Sequence, residues 1–500
     1  IMPSLVGSEM CIRDRIKTKS VKLNMVMNAL LSMSSFIFPL ITFPYVSRIL
    51  LPVGTGRVAF ATAVVTYFAM FAQLGIPTYG IRLCAKVRDN KEELTRAVHE
   101  LLFINLFMSA IVYAVFFISL AVVPKFREEH TLLLIIGATI LLNALGVEWL
   151  YKALEQYTYI TVRSLIFKVV ALISTFMLVR DPKDCLQYGF LTILATSASN
   201  VLNFINLRKY IYLKPIGGYH IKRHIKMILV FFSMSVATTI YTNLDNVMLG
   251  FMKDKVEVGY YSAAVKIKSI MVSVVTSAST VLLPRASYYV DKGMMDEFSR
   301  ILKKTMHFIF LVAIPFSIYF MIYAKEGIFF LSGKAYAGAI IPMQIIMPTL
   351  TLIGISNVTG IQMMVPLGRE KQVLYSEIAG AIVDLVLNTI FIPIYGAAGA
   401  ALGTLVAEAV VLGWQCVAIR DLKMGIFQKL PYGKILIAVG LGSAASFWVK
   451  LLGVGVFPTL VISAVCFFGV YGIVMTVLKD SLVIELEKQL IRKIKKNDCV

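Results

Sequence analysis

The chain has 500 residues, 58% of them apolar and 15% charged, with a mean hydropathy of +0.79. Soluble domains run at ~45–50% apolar and ~25% charged, so a soluble globule of this composition would expose apolar surface on an aggregating scale, and a disordered chain needs low hydrophobicity and high charge. The net charge of +21 would point a soluble protein towards nucleic acid; here the sequence reads as a polytopic membrane protein, and what matters is where those charges lie.

The first fifteen residues, IMPSLVGSEMCIRDR, resemble a translated sequencing-adapter read-through and lack the apolar core of a signal peptide. Residues 1–16 are therefore expected to be a non-native leader, with the native start near Ile16 or Lys17. A membrane span needs about 20 mainly apolar residues. Fourteen stretches qualify: roughly 24–47, 58–80, 98–123, 131–150, 160–179, 186–206, 226–250, 258–283, 305–324, 339–358, 373–393, 397–419, 435–452 and 457–478. The expected fold is all-α, with two pseudo-symmetric six-helix lobes, 17–210 and 211–425. Helices 13 and 14 follow at 426–480, and a basic cytoplasmic tail occupies 481–500. The split of 435–478 is expected at Gly453 to Pro458. Pro39 and Pro44 in the first helix, and Pro342 and Pro348 in the tenth, are expected to interrupt helices that bend.

Counted loop by loop with the N-terminus inside, cytoplasmic segments carry 35 Lys and Arg, outer loops 11 and the spans three. By the positive-inside rule both termini are cytoplasmic, and most of the net charge is a topology signal, not a nucleic-acid site. A repeat of some 200 residues is faintly visible. TYGIR ending at Arg82 lies beside VLLPR ending at Arg285, EQYTYITVRSLIFK beside KQVLYSEIAGAIVD, and Tyr188-Gly189 beside Tyr395-Gly396. An even number of helices per copy gives parallel repeats related by an axis along the membrane normal.

Ionisable groups inside a span cost at least ~2.5–3.5 kcal/mol at mid-depth and are expected to face a cavity or a partner. Lys168, Asp245, Lys266, Lys268, Asp384 and Glu408 are the clearest cases. At 1.5 Å per residue, Lys168 lies about 12 Å in from the cytoplasmic end of its helix, and Asp384 and Glu408 fall near mid-span. Asp245 and Lys266 flank a short outer turn and could pair. Lys266 and Lys268 are ~200° apart around the helix and cannot share one cavity. Two readings stay open: lysines lining an aqueous cavity for an anion, with carboxylates binding a coupling cation or proton, or interhelical ion pairs that fix packing. Arg82 and Arg285 read as cytoplasmic anchors. Arg48, at the outer end of helix 1, either snorkels or meets a phosphate.

His220 and His224 have metal-pair spacing, but Lys222 and Arg223 lie between them and no third ligand is near, so a charged cytoplasmic loop is expected. The six scattered cysteines form neither a disulfide framework nor a zinc site. YGAAGAALG at 395–403 opens a helix where small residues aid close packing. Neither a nucleotide loop nor any cofactor motif is evident.

FPYVSRILLPVGTGRVAFATAVVTYF at 43–68, LGIPTYGIRLCAKVRDNKEEL at 74–94 and EWLYKALEQYTYITVRS at 148–164 resemble the N-terminal part of Wzx-type O-antigen flippases. YTNLDNVMLG at 241–250, VLLPRASYYV at 281–290 and GREKQVLYSEIAGAIVDLVLNTIFIPIYGAAGAALGTLVAE at 368–408 continue the likeness. This polysaccharide transporter family belongs to a superfamily that also holds multidrug exporters and lipid II flippases. The resemblance implies two helical lobes around a central cavity and no catalysis. It also implies transfer of an undecaprenyl-diphosphate-linked oligosaccharide across the bacterial inner membrane, with a polysaccharide polymerase and a chain-length regulator as candidate partners. Lys168, Lys266, Lys268 and Arg48 are the positions that could line a cationic cavity, and Asp245, Asp384 and Glu408 those that could couple an ion. The arginine cluster of lipid II flippases is not apparent in helix 1 or 2, which argues against that branch. A multidrug exporter would prefer acidic cavity residues. A polysaccharide polymerase or glycosyltransferase would need a larger outer loop than the dozen residues available.

Overall fold

The structure is a computed structural model that describes residues 21–422, 424–428, 430–485 and 487–488. The expected leader at 1–16 and most of the basic tail lie outside the described residues. Among the described residues every regular element is helical. The first half of the chain holds α1 (Val21–Gln73), α2 (Ile76–Val87), α3 (Lys91–Val122), α4 (His130–Gly146), α5 (Glu148–Ala153), α6 (Tyr157–Leu178), α7 (Cys185–Thr196) and α8 (Asn200–Asn206). Then come α9 (Lys222–Met252), α10 (Lys255–Asp291), α11 (Met295–Ile322), α12 (Ile340–Ile346), α13 (Thr349–Ser356), α14 (Glu370–Tyr395), α15 (Ala397–Ala418), α16 (Tyr432–Phe447) and α17 (Val456–Val477). The chain divides into two compact units, and the boundary falls between Val247 and Met248, inside α9.

All fourteen apolar stretches fall on helix, although the count of fourteen spans is not confirmed. Among the described residues eleven helices are long and apolar enough to cross a membrane, twelve if Lys334–Ile346 and Thr349–Met364, bent by 44°, make one span. The stretches 24–47 and 58–80 are two helices, separated within α1 by a kink at Leu51, whose φ of 58° and ψ of 176° are not helical. The stretch at 131–150 yields only the 17-residue α4. The expected breaks at Pro39 and Pro44 are absent: α1 continues through both, and its interior non-helical residue is Leu51, ahead of Pro52. A span tolerates proline where neighbouring groups satisfy the freed backbone. Pro348, by contrast, does mark the 44° bend. The break at Gly453 is also present, with Gly453 left-handed at φ 63° and α17 starting at Val456.

In the first unit α1 packs against α3, α4, α6 and α7, while α2 packs against α3 and α5. Asn90 caps α3, its side-chain oxygen accepting from Glu92 and Glu93 N–H at 3.0 and 3.2 Å. Those two acidic residues also complement the positive end of the helix dipole. α1 ends in a corner formed by Leu74 (φ 47°) and Gly75 (φ 74°). A Cβ at Gly75 would sit 2.5 Å from the backbone nitrogen of Phe232, so only glycine lets α9 approach this corner. In the second unit α14 and α15 form the tightest pair. Gly399 and Gly403 of α15 repeat at four residues, and a Cβ on Gly399 would collide with the Phe391 carbonyl. Small residues at this spacing let helix backbones approach in lipid, where no hydrophobic force drives helices together. Long apolar side chains such as Phe107, Ile118, Met177 and Val465 are exposed on the outside, as a lipid-facing surface requires.

Candidate functional site

Lys168 sits half-buried on α6. Its ammonium donates to Ser34 Oγ at 2.7 Å and Ser35 Oγ at 3.1 Å on α1. Both serine hydroxyls give their own hydrogen to the Leu31 carbonyl, so each oxygen faces the lysine purely as an acceptor. Lys168 enters none of the salt bridges among the described residues; the neighbouring carboxylate, Glu148, pairs with Lys152 at 2.8 Å and Arg163 at 3.6 Å. Arg48 is exposed and donates to the Pro44 carbonyl of its own helix. Asp245, on α9, is buried. Neither Arg48 nor Asp245 is without a partner.

Arg163 and Glu100 are buried charges of this unit that the sequence reading did not single out. Arg163 is 4% exposed and donates to the Ser199 carbonyl at 3.1 Å and Asn200 Oδ1 at 3.4 Å. Its position in 160–179 gave a signal, but it was counted with the flanking cytoplasmic charges. Glu100, fully buried near the start of α3, accepts from Arg223 Nη2 at 2.7 Å, from His224 Nε2 at 2.6 Å and from the His220 N–H at 2.5 Å. His224 Nδ1 lies 2.8 Å from Tyr79 Oη, and its Nε2 lies 3.2 Å from Arg223 Nε as well as 2.6 Å from Glu100 Oε2. The expected solvated loop at His220 to His224 is thus wrong for His224, which is buried and clamps the start of α9 onto α2 and α3. No metal-binding group occurs among the described residues.

The first unit also holds an open cavity of about 460 Å³ between α1, α4, α7 and α9. Ten of its seventeen lining residues carry uncharged hydrogen-bonding side chains, and none is ionisable. None of the seven candidate site residues lines it.

In the second unit Asp384, Asn388 and Glu408 are buried at the α14–α15 pair. A Cβ on Gly403 would collide with Asn388 Oδ1 and lie 3.1 Å from Asp384 Oδ1, so the glycine leaves room for those two oxygens side by side. Glu257 of α10 accepts from the Ala397 N–H at 2.6 Å, placing a carboxylate on the positive end of α15. Lys266 is half-buried, and like Asp384 and Glu408 it holds a partner. Lys268, two residues on, makes no hydrogen bond or ion pair among the described residues. The unlike settings agree with their ~200° separation. Arg82 and Arg285 are both exposed.

Known proteins give this arrangement a context. The "Putative O-antigen transporter" of Escherichia coli (strain K12) is 25% identical over 416 residues, covering 81% of this chain and 98% of that protein. The protein of the same name from Shigella dysenteriae is 26% identical over 414 residues, covering 80% and 100%. Among solved structures, lipid II flippase MurJ in an inward closed conformation superposes with a TM-score of 0.70 at 16% identity, over 90% of this chain and 98% of that one; the likeness is one of fold. A family model described as "Polysaccharide biosynthesis protein" matches residues 21–290. That match takes in more than half of the sequence, from the first described helix into α10, and so this multi-pass membrane protein belongs to the polysaccharide biosynthesis protein family.

Proposed function

We propose that the protein is a flippase that carries an undecaprenyl-diphosphate-linked oligosaccharide, an O-antigen unit or a related polysaccharide repeat, from the cytoplasmic to the periplasmic leaflet of a bacterial inner membrane. The observation that carries this reading is the end-to-end similarity to the two O-antigen transporters, which spans 98% and 100% of their lengths. Both termini are assigned to the cytoplasm, a reading the Lys and Arg asymmetry supports. The polymerase and chain-length regulator that use the product stand downstream of it.

The physical task is to move a diphosphate and its sugars past hydrocarbon, where an unpaired charge costs tens of kcal/mol. A water-filled passage open to one face at a time lets the head group stay solvated while the polyprenyl tail remains in the bilayer. Lys168 suits the phosphate: an ammonium has three N–H donors, two are spent on Ser34 and Ser35, and the third is left for an anion. Lys266, Lys268 and Arg48 are the further cations assigned to this path. Asp245, Asp384 and Glu408 are the carboxylates assigned to a coupling proton or cation, which supplies direction. A ligand that binds the inward- and outward-open states unequally shifts their populations by that difference.

The test is restoration of surface polysaccharide in a flippase-null strain. Wild type is expected to restore it, Lys168→Ala to fail, and Lys168→Arg to restore it in part. Failure of the wild-type chain to restore any lipid-linked polysaccharide, in hosts of several glycan types, would overturn the reading.

A further inference from the structure

We infer that the cavity in the first unit is a binding site for a neutral, hydroxyl-bearing ligand: a sugar ring of the lipid-linked glycan, which ties this inference to the proposed function. The chemistry of the wall selects among ligand classes. With no Lys, Arg or His on it, the wall offers an anion no charged donor, and with no carboxylate it offers an organic cation no counter-charge. An acyl chain or an apolar drug would leave the remaining hydrogen-bonding capacity of this polar wall unfilled, which is costly once water is displaced.

The direction of those hydrogen bonds narrows the ligand further. Five wall hydroxyls already donate their single hydrogen to carbonyls of their own helices. Thr66 gives to Thr62, Thr139 to Ile136, Thr192 to Tyr188, Thr196 to Thr192 and Ser235 to Phe231, at 2.7–3.1 Å. A hydroxyl committed in this way can only accept from a ligand. These five therefore present lone pairs, which a sugar O–H fills and a phosphate oxygen cannot. Donors come from a second group. Asn143 Oδ1 accepts from Asn200 Nδ2 at 3.1 Å, which turns the Asn143 NH₂ to the free side. The Gln73 amide and the Thr62 and Thr239 hydroxyls donate to nothing among the described residues. Val65, Ile136 and Ile193 supply apolar patches between them, matching the C–H faces of a pyranose. At about 460 Å³ the cavity lies within the ~300–1,000 Å³ of small-ligand sites.

The test uses the full chain in lipid nanodiscs and measures equilibrium binding of undecaprenyl diphosphate, bare or bearing one N-acetylhexosamine or one hexose. Two variants are compared with wild type. Thr139→Val with Thr192→Val removes two acceptors at constant volume, and Ala69→Leu fills the cavity without touching a hydroxyl. Wild type is expected to bind at least one glycosylated lipid about tenfold more tightly than the bare lipid. Both variants should shrink that preference to within about twofold while bare-lipid affinity holds, which also reports that they are folded. A preference that survives in both variants overturns the assignment, as does wild type binding all three lipids equally; either result leaves the flippase reading standing. Sodium-dependent stabilisation that Thr139→Val with Thr192→Val abolishes, with the glycan preference intact, would give the cavity to a cation. Wild type that binds none of the three lipids defeats the proposed function itself.

Discussion

Replacing Glu100 by glutamine tests whether the clamp at the start of α9 holds the first unit together. The carboxylate divides its work: Oε1 accepts from the His220 N–H, while Oε2 accepts from Arg223 and His224. An amide keeps one acceptor oxygen, so on one side an N–H must confront another N–H. Buried hydrogen bonds to a charged group contribute ~1.5–3 kcal/mol each, and the surviving bond loses its charge assistance, about half its strength. Arg223 is half exposed and rehydrates, so its share is small. The expected loss is about 3 kcal/mol for Glu100→Gln and below about 1 kcal/mol for Arg223→Ala. Thermal unfolding in lipid nanodiscs gives the ranking. Hydrogen exchange over residues 216–226 shows whether the loss is local, with protection falling there first. If Glu100→Gln unfolds at the wild-type temperature, or if Arg223→Ala is equally damaging, the clamp is not what secures α9.

Gly399→Ala should lower stability by about 2 kcal/mol, in the range for overpacking, because its methyl meets the Phe391 backbone; the unfolding midpoint checks it, and an unchanged one would mean α14 and α15 can part freely. Arg163→Ala should destabilise by ~3 kcal/mol through lost buried partners, whereas Arg163→Met with Glu148→Gln should recover most of that; the same measurement separates them. Asp384→Asn and Glu408→Gln are expected to remove the response of lipid flipping to an imposed proton or sodium gradient in proteoliposomes. A full response in both variants would exclude these carboxylates from coupling.

Span positions were legible because a helix in lipid must supply about 20 apolar residues, and that run is visible without any knowledge of packing. Breaks within the spans were less so. Pro39 and Pro44 advertise interruptions that the backbone does not make, while the left-handed corner at Leu74 and Gly75 lies inside an unbroken apolar stretch. What forces that corner is the approach of Phe231 and Phe232, more than 150 residues away. The site divides along the same line. Lys168 is conspicuous as a charge in a span, but its partners are two adjacent serines 134 and 133 residues earlier, and serines in apolar runs are common. Glu100 and His224 sit at the ends of their runs, where a charge ordinarily meets solvent. The cavity wall has no sequence signature, because isolated threonines on four helices become a surface only when those helices are assembled.

The brevity of α4 bears on the membrane around the protein. Its 17 residues measure about 25 Å, some 5 Å less than a typical hydrocarbon layer. Carboxylates bracket it at Glu129, fixed by Arg57 at 2.9 Å, and at Glu148. Thr131, Leu134 and Leu141 mark its outward stripe. Set across a bilayer, a helix this short would oblige the adjoining lipid to dip, at a fraction of a kcal/mol for each ångström of mismatch. Head groups of the two leaflets would then come nearest beside this helix, and a slimmer bilayer would fit it with less distortion.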